Sequence, residues 1–244
     1  MILSCIKRVS CGRIRPVLTR FLRASTAKHH DLESYLQFLQ TQANVATEST
    51  YYKGLLYEYT VQHALKKLIG ISPLTRCGGT GDNGIDLMGS WNIQKAKKKL
   101  DSLTILVQCK ASKTKTGARL FREMEGVHSY HVSKSRQEGR TLLIVAAPSA
   151  ITKQGFAQFQ TTDVPILYCQ INRVQPIYDT KQDTFRIDNF EHYSVVQGLL
   201  ANHAAQALLE KCDLSTAKIN VLMKGNSVEH KKASPPVVQK ITLT

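Results

Sequence analysis

The feature that most constrains the fold is an apolar run, Thr141–Ala147, that ends at Pro148. A strand with one face in water alternates apolar and polar residues, whereas a strand covered on both faces is apolar throughout. We therefore predict a central strand over 141–147, in a sheet with helices on both faces. A short helix is predicted over 150–160, and a further apolar strand over 165–169.

A strand predicted over 103–110 ends differently, in polar residues. Side chains in a strand alternate between its two faces, so Gln108 and Lys110 share one face. Cys109 lies on the other face, in line with the apolar residues before it. Two polar groups thus stand side by side where this apolar strand ends.

A glycine-rich segment, Gly78–Leu87, precedes that strand and places Asp86 on a short strand predicted over 84–89. A carboxylate on one strand, with an amide oxygen and an ammonium group on its neighbour, provides what a hydrolytic Mg²⁺ site needs. The lysine would stabilise the attacking water or the charge that develops on phosphorus. The alternative is that Asp86 only caps a turn and Lys110 ends a strand in solvent.

In their order and spacing, these residues resemble the PD-(D/E)xK nuclease superfamily, in its Mrr-like restriction-endonuclease branch. The resemblance implies that Asp86 is the first metal-binding acid, Gln108 the second ligand and Lys110 the catalytic lysine. It also implies that the backbone carbonyl of Cys109 is a third ligand of Mg²⁺, or of Mn²⁺. Gln108 departs from the commoner Glu or Asp and offers a neutral oxygen, which should weaken metal binding.

The resemblance implies an α/β fold, with a restriction-endonuclease-like three-layer core in which helices flank a central mixed β-sheet. Its elements follow the order αβββαβ. The chain offers a matching series: a helix from Ser49 or Thr50 to about Gly70, strands over 71–77, 84–89 and 103–110, a helix after Gly117, and the strand at 141–147. Further helices are predicted over 31–46 and 193–211.

Glu58 is another acid that the pattern identifies. On the helix that follows Ser49 it falls within the apolar stripe of Leu55, Val61 and Leu65. A carboxylate that faces a core is unfavourable unless it is paired or bound to a metal. The resemblance implies that Glu58 completes the metal shell or orients the attacking water. The alternative is a half-buried Glu58 paired with a lysine or a backbone amide.

The net charge of +15 indicates a polyanionic partner, either nucleic acid or anionic membrane. No stretch approaches the roughly 18 uninterrupted apolar residues of a membrane span. Two basic segments are candidates for phosphate contacts: an insertion, Trp91–Asp101, and the hydroxyl-rich loop after Lys110. Their candidate residues are Lys97, Lys98, Lys99, Ser112, Lys113 and Lys115. A lysine run of this kind is more often a solvated surface, and that alternative stays open for the insertion.

Residues 1–30 have the composition of a mitochondrial presequence, with seven basic residues, no acid and interspersed apolar residues. A basic arm that binds nucleic acid is the alternative. Residues 31–215 are predicted to form a single nuclease-like domain with its core at about 50–170, and 216–244 a basic, flexible tail. His128 and His131 lie three residues apart, but without a third partner they are interpreted as ordinary helix histidines.

Together these observations predict a metal-dependent DNA phosphodiesterase, endonuclease-like, in the mitochondrial matrix. Over most of residues 50–170 the chain also resembles the fungal mitochondrial proteins required for respiratory growth, which implies a role in mitochondrial DNA maintenance. Two other functions stay open: a catalytically weak or inactive DNA-binding or nucleoid-binding protein, which the neutral Gln108 favours, and a respiratory assembly factor. Cutting both DNA strands would favour a two-fold homodimer.

Overall fold

The computed structural model describes residues 29–41, 49–77, 83–94, 100–135, 139–175, 177–179, 184–186 and 196–214. The predicted presequence, apart from its last two residues, and the predicted tail at 216–244 lie outside these ranges. So do three of the predicted phosphate contacts, Lys97, Lys98 and Lys99. In the part of the chain that is described, no helix has the length and apolar character to cross a bilayer.

The described elements are helices and strands in mixed order. They are α1 (Leu32–Gln40), α2 (Thr50–Ala64) with a π-helical turn (Leu65–Ile69), β1 (Leu74–Arg76), β2 (Leu87–Gln94), β3 (Leu100–Cys109), α3 (Ala118–Ser135), β4 (Thr141–Ala147), α4 (Lys153–Thr161), β5 (Ile166–Ile171), β6 (Ile177–Asp179), β7 (Thr184–Arg186), β8 (Val196–Ala201) and α5 (His203–Lys211). From α2 to β4 the order is helix, three strands, helix, strand. This confirms the predicted αβββαβ core.

A six-stranded mixed sheet in the order β1-β2-β3-β4-β5-β8 forms the centre of the fold. The first three strands pair antiparallel, β3, β4 and β5 pair parallel, and β8 closes the far edge antiparallel to β5. Strands β6 and β7 form a separate two-stranded ribbon. Every residue of β4 is buried, which confirms the prediction of a central strand covered on both faces.

Apolar clusters cover both faces of this sheet. One joins Ile105 and Val107 of β3 to α2 and α5, and the other joins Leu106 to α3 and α4. The alternation predicted along β3 is therefore confirmed, and helices flank the sheet on both sides. A third and smaller cluster packs α1 against α2.

Helix α2 matches its prediction at both ends. The side chain of Ser49 accepts a hydrogen bond from the Tyr52 N–H at 3.1 Å and so caps the first turn. At the other end Gly70 adopts a left-handed conformation with φ of 78° and stops the helix after its π-helical turn. The apolar stripe predicted for α2 is buried, with Leu55 in the cluster formed with α1 and Val61 and Leu65 in the cluster that covers the sheet.

The predicted insertion, Trp91–Asp101, was wrong in extent. Strand β2 continues to Gln94 and β3 begins at Leu100, so only residues 95–99 lie between the two strands. Trp91 and Ile93 are buried in the core on the α2 side, as alternate residues of a strand with one covered face are.

The helix predicted over 193–211 was wrong in its first half, and α1 ends at Gln40 instead of reaching residue 46. Strand β8 pairs with β5, and α5 begins only after Asn202. Asn202 links α5 to β5, because its Oδ1 accepts hydrogen bonds from the N–H groups of Ala205 and Ile166 at 2.9 and 3.0 Å. The β-branched Val196 and the Gly198 of this segment disfavour a helix, and pairing at the sheet edge outweighed its Ala/Leu-rich composition.

Candidate metal centre and nucleic-acid interface

Asp86 lies immediately before β2, and hydrogen bonds on both sides hold its backbone. Its N–H donates to the Val107 carbonyl of β3 at 2.9 Å, and its own carbonyl accepts from the Cys77 N–H at 2.8 Å. The residue is 9% exposed. The position of this acid is thus determined by the chain on both of its sides.

The carboxylate of Asp86 contacts the end of β3. Its Oδ2 accepts hydrogen bonds from the Cys109 N–H and from Nε2 of Gln108, each at 2.6 Å. The same Nε2 also donates to the carbonyl oxygen of Cys109 at 3.2 Å. The structure therefore brings together, within hydrogen-bonding distance, the carboxylate, the amide and the carbonyl that the sequence predicts as metal ligands.

The orientation of the Gln108 amide follows from its neighbours. Asp86 Oδ2 and the Cys109 carbonyl are both acceptors, and an N–H group is the half of an amide that pairs with acceptors. A cation held by these two oxygens would instead need the amide oxygen, so the side-chain amide would have to turn over. Gln108 can serve this cluster in two ways, as a hydrogen-bond donor or as an oxygen ligand.

The turn ahead of Asp86 explains one of the glycines that the sequence analysis singled out. Asn83 and Gly84 both adopt left-handed conformations, with φ of 51° and 80°. A Cβ atom at Gly84 would lie 2.9 Å from Cγ2 of Val127 on α3 and 3.8 Å from Oε1 of Gln108. Both the backbone conformation and the close approach of α3 require a glycine here.

Glu58 approaches the site from α2. Its Oε2 accepts a hydrogen bond from Nε of Arg76 on β1 at 2.5 Å, in an ion pair whose side chains are 16% and 24% exposed. Burial, followed by the charges of Asp86 and Glu58, raises the pKa of the Cys109 thiol. Glu58 is thus half-buried and paired, and its arginine partner was not considered from the sequence.

The sequence analysis missed Arg76. The only signal for it was a basic residue just before the glycine-rich segment, and nothing in that pattern identified Glu58 as its partner. Because β1 pairs with β2 so that Arg76 lies opposite Leu87, this arginine stands next to the strand that begins after Asp86. Arg76 therefore links α2 to the same end of the sheet as the Asp86 cluster.

Lys110 follows β3 and is exposed, and its backbone N–H donates to the Ala146 carbonyl at 2.8 Å. It forms part of the wall of a cleft of about 390 Å³ together with two other basic residues, Lys115 and Arg119. The other lining residues are Ser112, Thr114, Thr116, Gly117, Leu120 and Glu123. Of the predicted phosphate contacts, Ser112 and Lys115 line this cleft, whereas Lys113 is exposed outside its lining.

Hydrogen bonds to the neighbouring strands hold the floor of this cleft. The hydroxyl of Thr116 shares a hydrogen bond of 2.8 Å with the Tyr168 hydroxyl of β5. The Ser149 hydroxyl donates to the Thr114 carbonyl at 2.6 Å, and Ser112 and Thr114 share a hydrogen bond of 2.6 Å between their hydroxyls. The backbone of the loop is thus fixed while its basic side chains extend into solvent.

The donor set suits Mg²⁺ or Mn²⁺ in type, since carboxylate, amide and carbonyl oxygens are the ligands that hard cations prefer. Within the described ranges, no three or more His, Cys, Asp or Glu side chains are grouped as a metal site would need. The set therefore consists of one carboxylate, Asp86, and two neutral oxygens, with Glu58 paired to Arg76. Such a set would hold the ion weakly, and the role of each residue as a ligand stays a prediction.

Comparison with known proteins places this chain in a family. The family model described as "Required for respiratory growth protein 7" matches residues 49–102 and 94–209. The mitochondrial protein of that name from Zygosaccharomyces rouxii is 27% identical over 87% of this chain and 96% of its own length. The one from Eremothecium gossypii is 30% identical over 68% of this chain and 79% of its own. An uncharacterized mitochondrial protein of Schizosaccharomyces pombe is 34% identical over 62% of this chain and 56% of its own.

These relatives confirm the predicted mitochondrial location, whereas the matrix in particular stays a prediction. Among solved structures, the DNA modification-dependent restriction endonuclease AspBHI aligns with 81% of this chain and 40% of its own, at 11% identity and a TM-score of 0.33. A likeness of that score is too weak to support an argument. The fold assignment depends on the observed order and pairing of the strands.

Proposed function

The chain belongs to the Required for respiratory growth protein 7 family, and on that premise we propose that it hydrolyses DNA phosphodiester bonds in the mitochondrial matrix. The observation that supports the proposal is the convergence of the Asp86 carboxylate, the Gln108 amide and the Cys109 carbonyl beside Lys110. Failure of mitochondrial DNA maintenance would then explain a requirement for respiratory growth.

Each residue of the cluster has a separate task in this proposal. Asp86, the Gln108 oxygen and the Cys109 carbonyl would hold one Mg²⁺, which when bound withdraws charge from the phosphate that is attacked. Lys110, exposed at the end of β3, donates a hydrogen bond to the attacking water and stabilises the charge that develops on phosphorus. Glu58, positioned by Arg76, accepts a hydrogen bond from that water and orients it.

The basic cleft next to Lys110 supports a polyanionic substrate. Lys115 and Arg119 stand on its walls together with hydroxyl groups, and this combination of side chains is typical of contacts to a nucleic-acid backbone. Such contacts position the polymer without reading its sequence. They would direct a phosphodiester toward Lys110 and the Asp86 cluster, and two-fold pairing of two chains would allow both DNA strands to be cut.

The test is a cleavage assay on linear, nicked, branched and single-stranded DNA with Mg²⁺ or Mn²⁺, run beside Asp86→Asn. We expect cleavage by the wild type that stops on addition of a chelator, no cleavage by Asp86→Asn, and similar DNA affinity for both. Asp163→Asn, a substitution of an exposed acid after α4, is the control that should cleave normally. Absence of wild-type cleavage on every DNA form with both metals would contradict the proposal.

One observation favours a second candidate, a DNA-binding protein without turnover. The N–H groups of the Gln108 amide and of Cys109 donate to Asp86 Oδ2, so this buried carboxylate oxygen has hydrogen-bond partners within the protein itself. Such a protein would bind DNA with strong salt dependence, show no metal requirement and cleave nothing. The same assay distinguishes the two candidates.

A further inference from the structure

A buried tyrosine of β5, Tyr168, carries a hydroxyl group that contacts two loops at the basic cleft. The residue is 2% exposed, and its ring packs in the apolar cluster between the sheet, α3 and α4. Its hydroxyl donates a hydrogen bond to the Ser149 carbonyl at 2.6 Å and shares one of 2.8 Å with the Thr116 hydroxyl. One side chain thus contacts both the loop that follows β3 and the loop that follows β4.

The direction of these two bonds follows from the number of protons. A phenol has one proton to donate, and a carbonyl oxygen can only accept. Tyr168 therefore donates to the Ser149 carbonyl, and the Thr116 hydroxyl donates to the Tyr168 oxygen. Removing the phenol oxygen would leave a buried hydroxyl in one loop without its acceptor and a carbonyl in the other without this donor.

The two loops also bond directly to each other. The Thr116 N–H donates to the Ala150 carbonyl at 3.1 Å, and the Thr116 carbonyl accepts from the Thr152 N–H at 2.9 Å. The Ser149 hydroxyl donates to the Thr114 carbonyl at 2.6 Å. The loops therefore form one hydrogen-bonded unit, and the Tyr168 hydroxyl joins that unit to the sheet.

Lys115 lies between two threonines of this unit, Thr114 and Thr116, and its exposed side chain lines the cleft. We infer that Tyr168 is a positioning residue that fixes the loop backbone and so presents Lys115 to a nucleic-acid backbone. The contact with nucleic acid rests on the proposed function, whereas the position of the loop does not. Neither the family match nor the sequence pattern, in which Tyr168 is part of an apolar strand, assigns it such a role.

The register of the sheet places Tyr168 level with the Asp86 cluster. Gln108 pairs with Val145, and Val145 pairs with Tyr168. Leu106 lies in the same apolar cluster as Tyr168, and Gln108, two residues further along β3, shares that face of the sheet. At the usual spacing of neighbouring strands, Tyr168 stands about 10 Å from Gln108. The loop that Tyr168 contacts therefore lies on the side of the sheet to which Gln108 belongs.

Tyr57 of α2 provides a matched control on the opposite face of the sheet. It is also 2% exposed, and its hydroxyl donates to the carbonyl of Ile171, another residue of β5, at 2.9 Å. Its ring lies in the cluster on the α2 side. Tyr57→Phe thus removes one buried bond of the same kind away from the cleft. An effect of Tyr168→Phe that Tyr57→Phe does not share is specific to the loop.

The primary test measures amide hydrogen exchange by NMR without DNA or metal. In Tyr168→Phe we expect exchange of the Thr116 N–H to rise by about five- to tenfold, the factor set by loss of one hydrogen bond. The Cys109 N–H, which donates to Asp86, should keep its wild-type rate. After correction for intrinsic rates, Thr116→Val should show the same rise and Thr116→Ser, which keeps the hydroxyl, should not. Tyr57→Phe should leave the Thr116 N–H protected.

Two results would overturn the inference. One is exchange of the Thr116 N–H in Tyr168→Phe equal to that of the wild type, and the other is an equal rise in Tyr57→Phe. If Tyr168→Phe fails to fold, Thr116→Val removes the same bond from the side of the loop. Unchanged exchange at residue 116 in that variant would likewise contradict the inference.

DNA affinity, measured by fluorescence anisotropy without metal, separates this inference from the proposed function. Tyr168→Phe should weaken binding about three- to tenfold, the cost of ordering one side chain on association. The slope of log affinity against log salt should keep its wild-type value, because no charge is removed. Wild-type affinity in Tyr168→Phe despite faster exchange would show that the fixed loop does not serve binding, and would overturn that part of the inference.

The two ideas can fail separately. A wild type that binds no DNA but shows the exchange effect would contradict the proposed function and leave the positioning of the loop intact. A wild type that cleaves DNA, with Tyr168→Phe equal to it in both exchange and affinity, would do the reverse.

Discussion

Two polar regions meet where β3 ends, and they are built in opposite ways. Asp86, Gln108 and Cys109 are tightly placed, with three hydrogen bonds of 2.6 to 3.2 Å among them. The segment from Lys110 to Arg119, a loop and the first residues of α3, has a fixed backbone but exposed basic side chains around an open cleft. The first region fixes the positions of the carboxylate, amide and carbonyl groups, and the second provides positive charge beside them.

This difference indicates how each region would contribute to function. Chemistry at one phosphorus atom needs groups held to within a fraction of an ångström, which buried hydrogen bonds provide. Contact with a flexible polyanion needs charge and adaptable reach, which exposed lysines and arginines provide. Substitutions in the first region should thus have large and specific effects, and substitutions in the second smaller and graded ones.

Lys110 lies where the Asp86 cluster meets the basic segment, so its substitution is the strongest test of the difference between the two regions. We expect Lys110→Ala to reduce single-turnover cleavage by about 10²–10³-fold, the size of effect seen when a transition-state contact is removed, with DNA affinity little changed. Lys113→Ala, in the same loop but outside the cleft lining, is the matched control. If both variants lost activity equally, charge alone and not position would matter at this end of β3.

Gln108→Glu tests the tightly placed region by adding a charge, whereas Lys110→Ala removes one. A carboxylate here would lie next to Asp86 Oδ2 in place of an N–H donor that is now 2.6 Å away, so the metal-free protein should lose about 1–3 kcal/mol of stability. With a cation present the added charge becomes favourable, and Mn²⁺ affinity should rise about tenfold or more. Urea unfolding measures the loss of stability, and EPR titration measures the affinity for Mn²⁺. Gln62→Glu would not serve as a control, because Gln62 is itself buried. Unchanged Mn²⁺ affinity would show that residue 108 does not contact the ion.

The same comparison explains how much the sequence could predict. Each half of the Asp86 cluster follows a pattern within its own segment: a glycine-rich turn precedes the acid, and residues two apart on β3 share a face, which puts Gln108 and Lys110 side by side. The contact between the two halves joins Asp86 and Gln108, which are 22 residues apart in the chain. Strand β4 was predictable for a similar reason, because burial on both faces leaves an apolar run in the sequence itself. Patterns within single segments thus predicted the buried central strand and the residues that meet in the Asp86 cluster, whereas the role of those residues stays a prediction.

Contacts between distant segments were beyond that method. The pairing of Glu58 with Arg76 joins common residue types whose proximity only the folded chain creates. Strand β8 was missed for a related reason, since its pairing with the edge of β5 overrode the helical composition of its neighbours. The periodicity of one segment carries no information about its partner in another part of the chain.

The charge-dependent region predicts moderate, additive effects on binding. Lys115→Gln and Arg119→Gln should each weaken DNA affinity several-fold and lower the slope of log affinity against log salt by about one, since each removes one phosphate contact. Cleavage at saturating DNA should stay close to wild type. Fluorescence anisotropy across a salt series measures the slope, with Lys211→Gln on α5 as a control. An unchanged slope in both cleft variants would exclude the cleft as a phosphate site.

The smallest effect concerns pH and involves the two histidines of α3, His128 and His131. Burial is the main reason that the pKa values of His128 and His131 are lowered from 6.5, so the folded protein favours neutral rings. The unfolded chain binds protons first as pH falls, and these histidines therefore contribute stability that is present above about pH 6.5 and lost as pH falls through their folded pKa values. Urea unfolding between pH 8 and pH 5 should show that loss. His131→Asn should reduce its size, and an identical pH dependence in that variant would show that His131 does not titrate with folding.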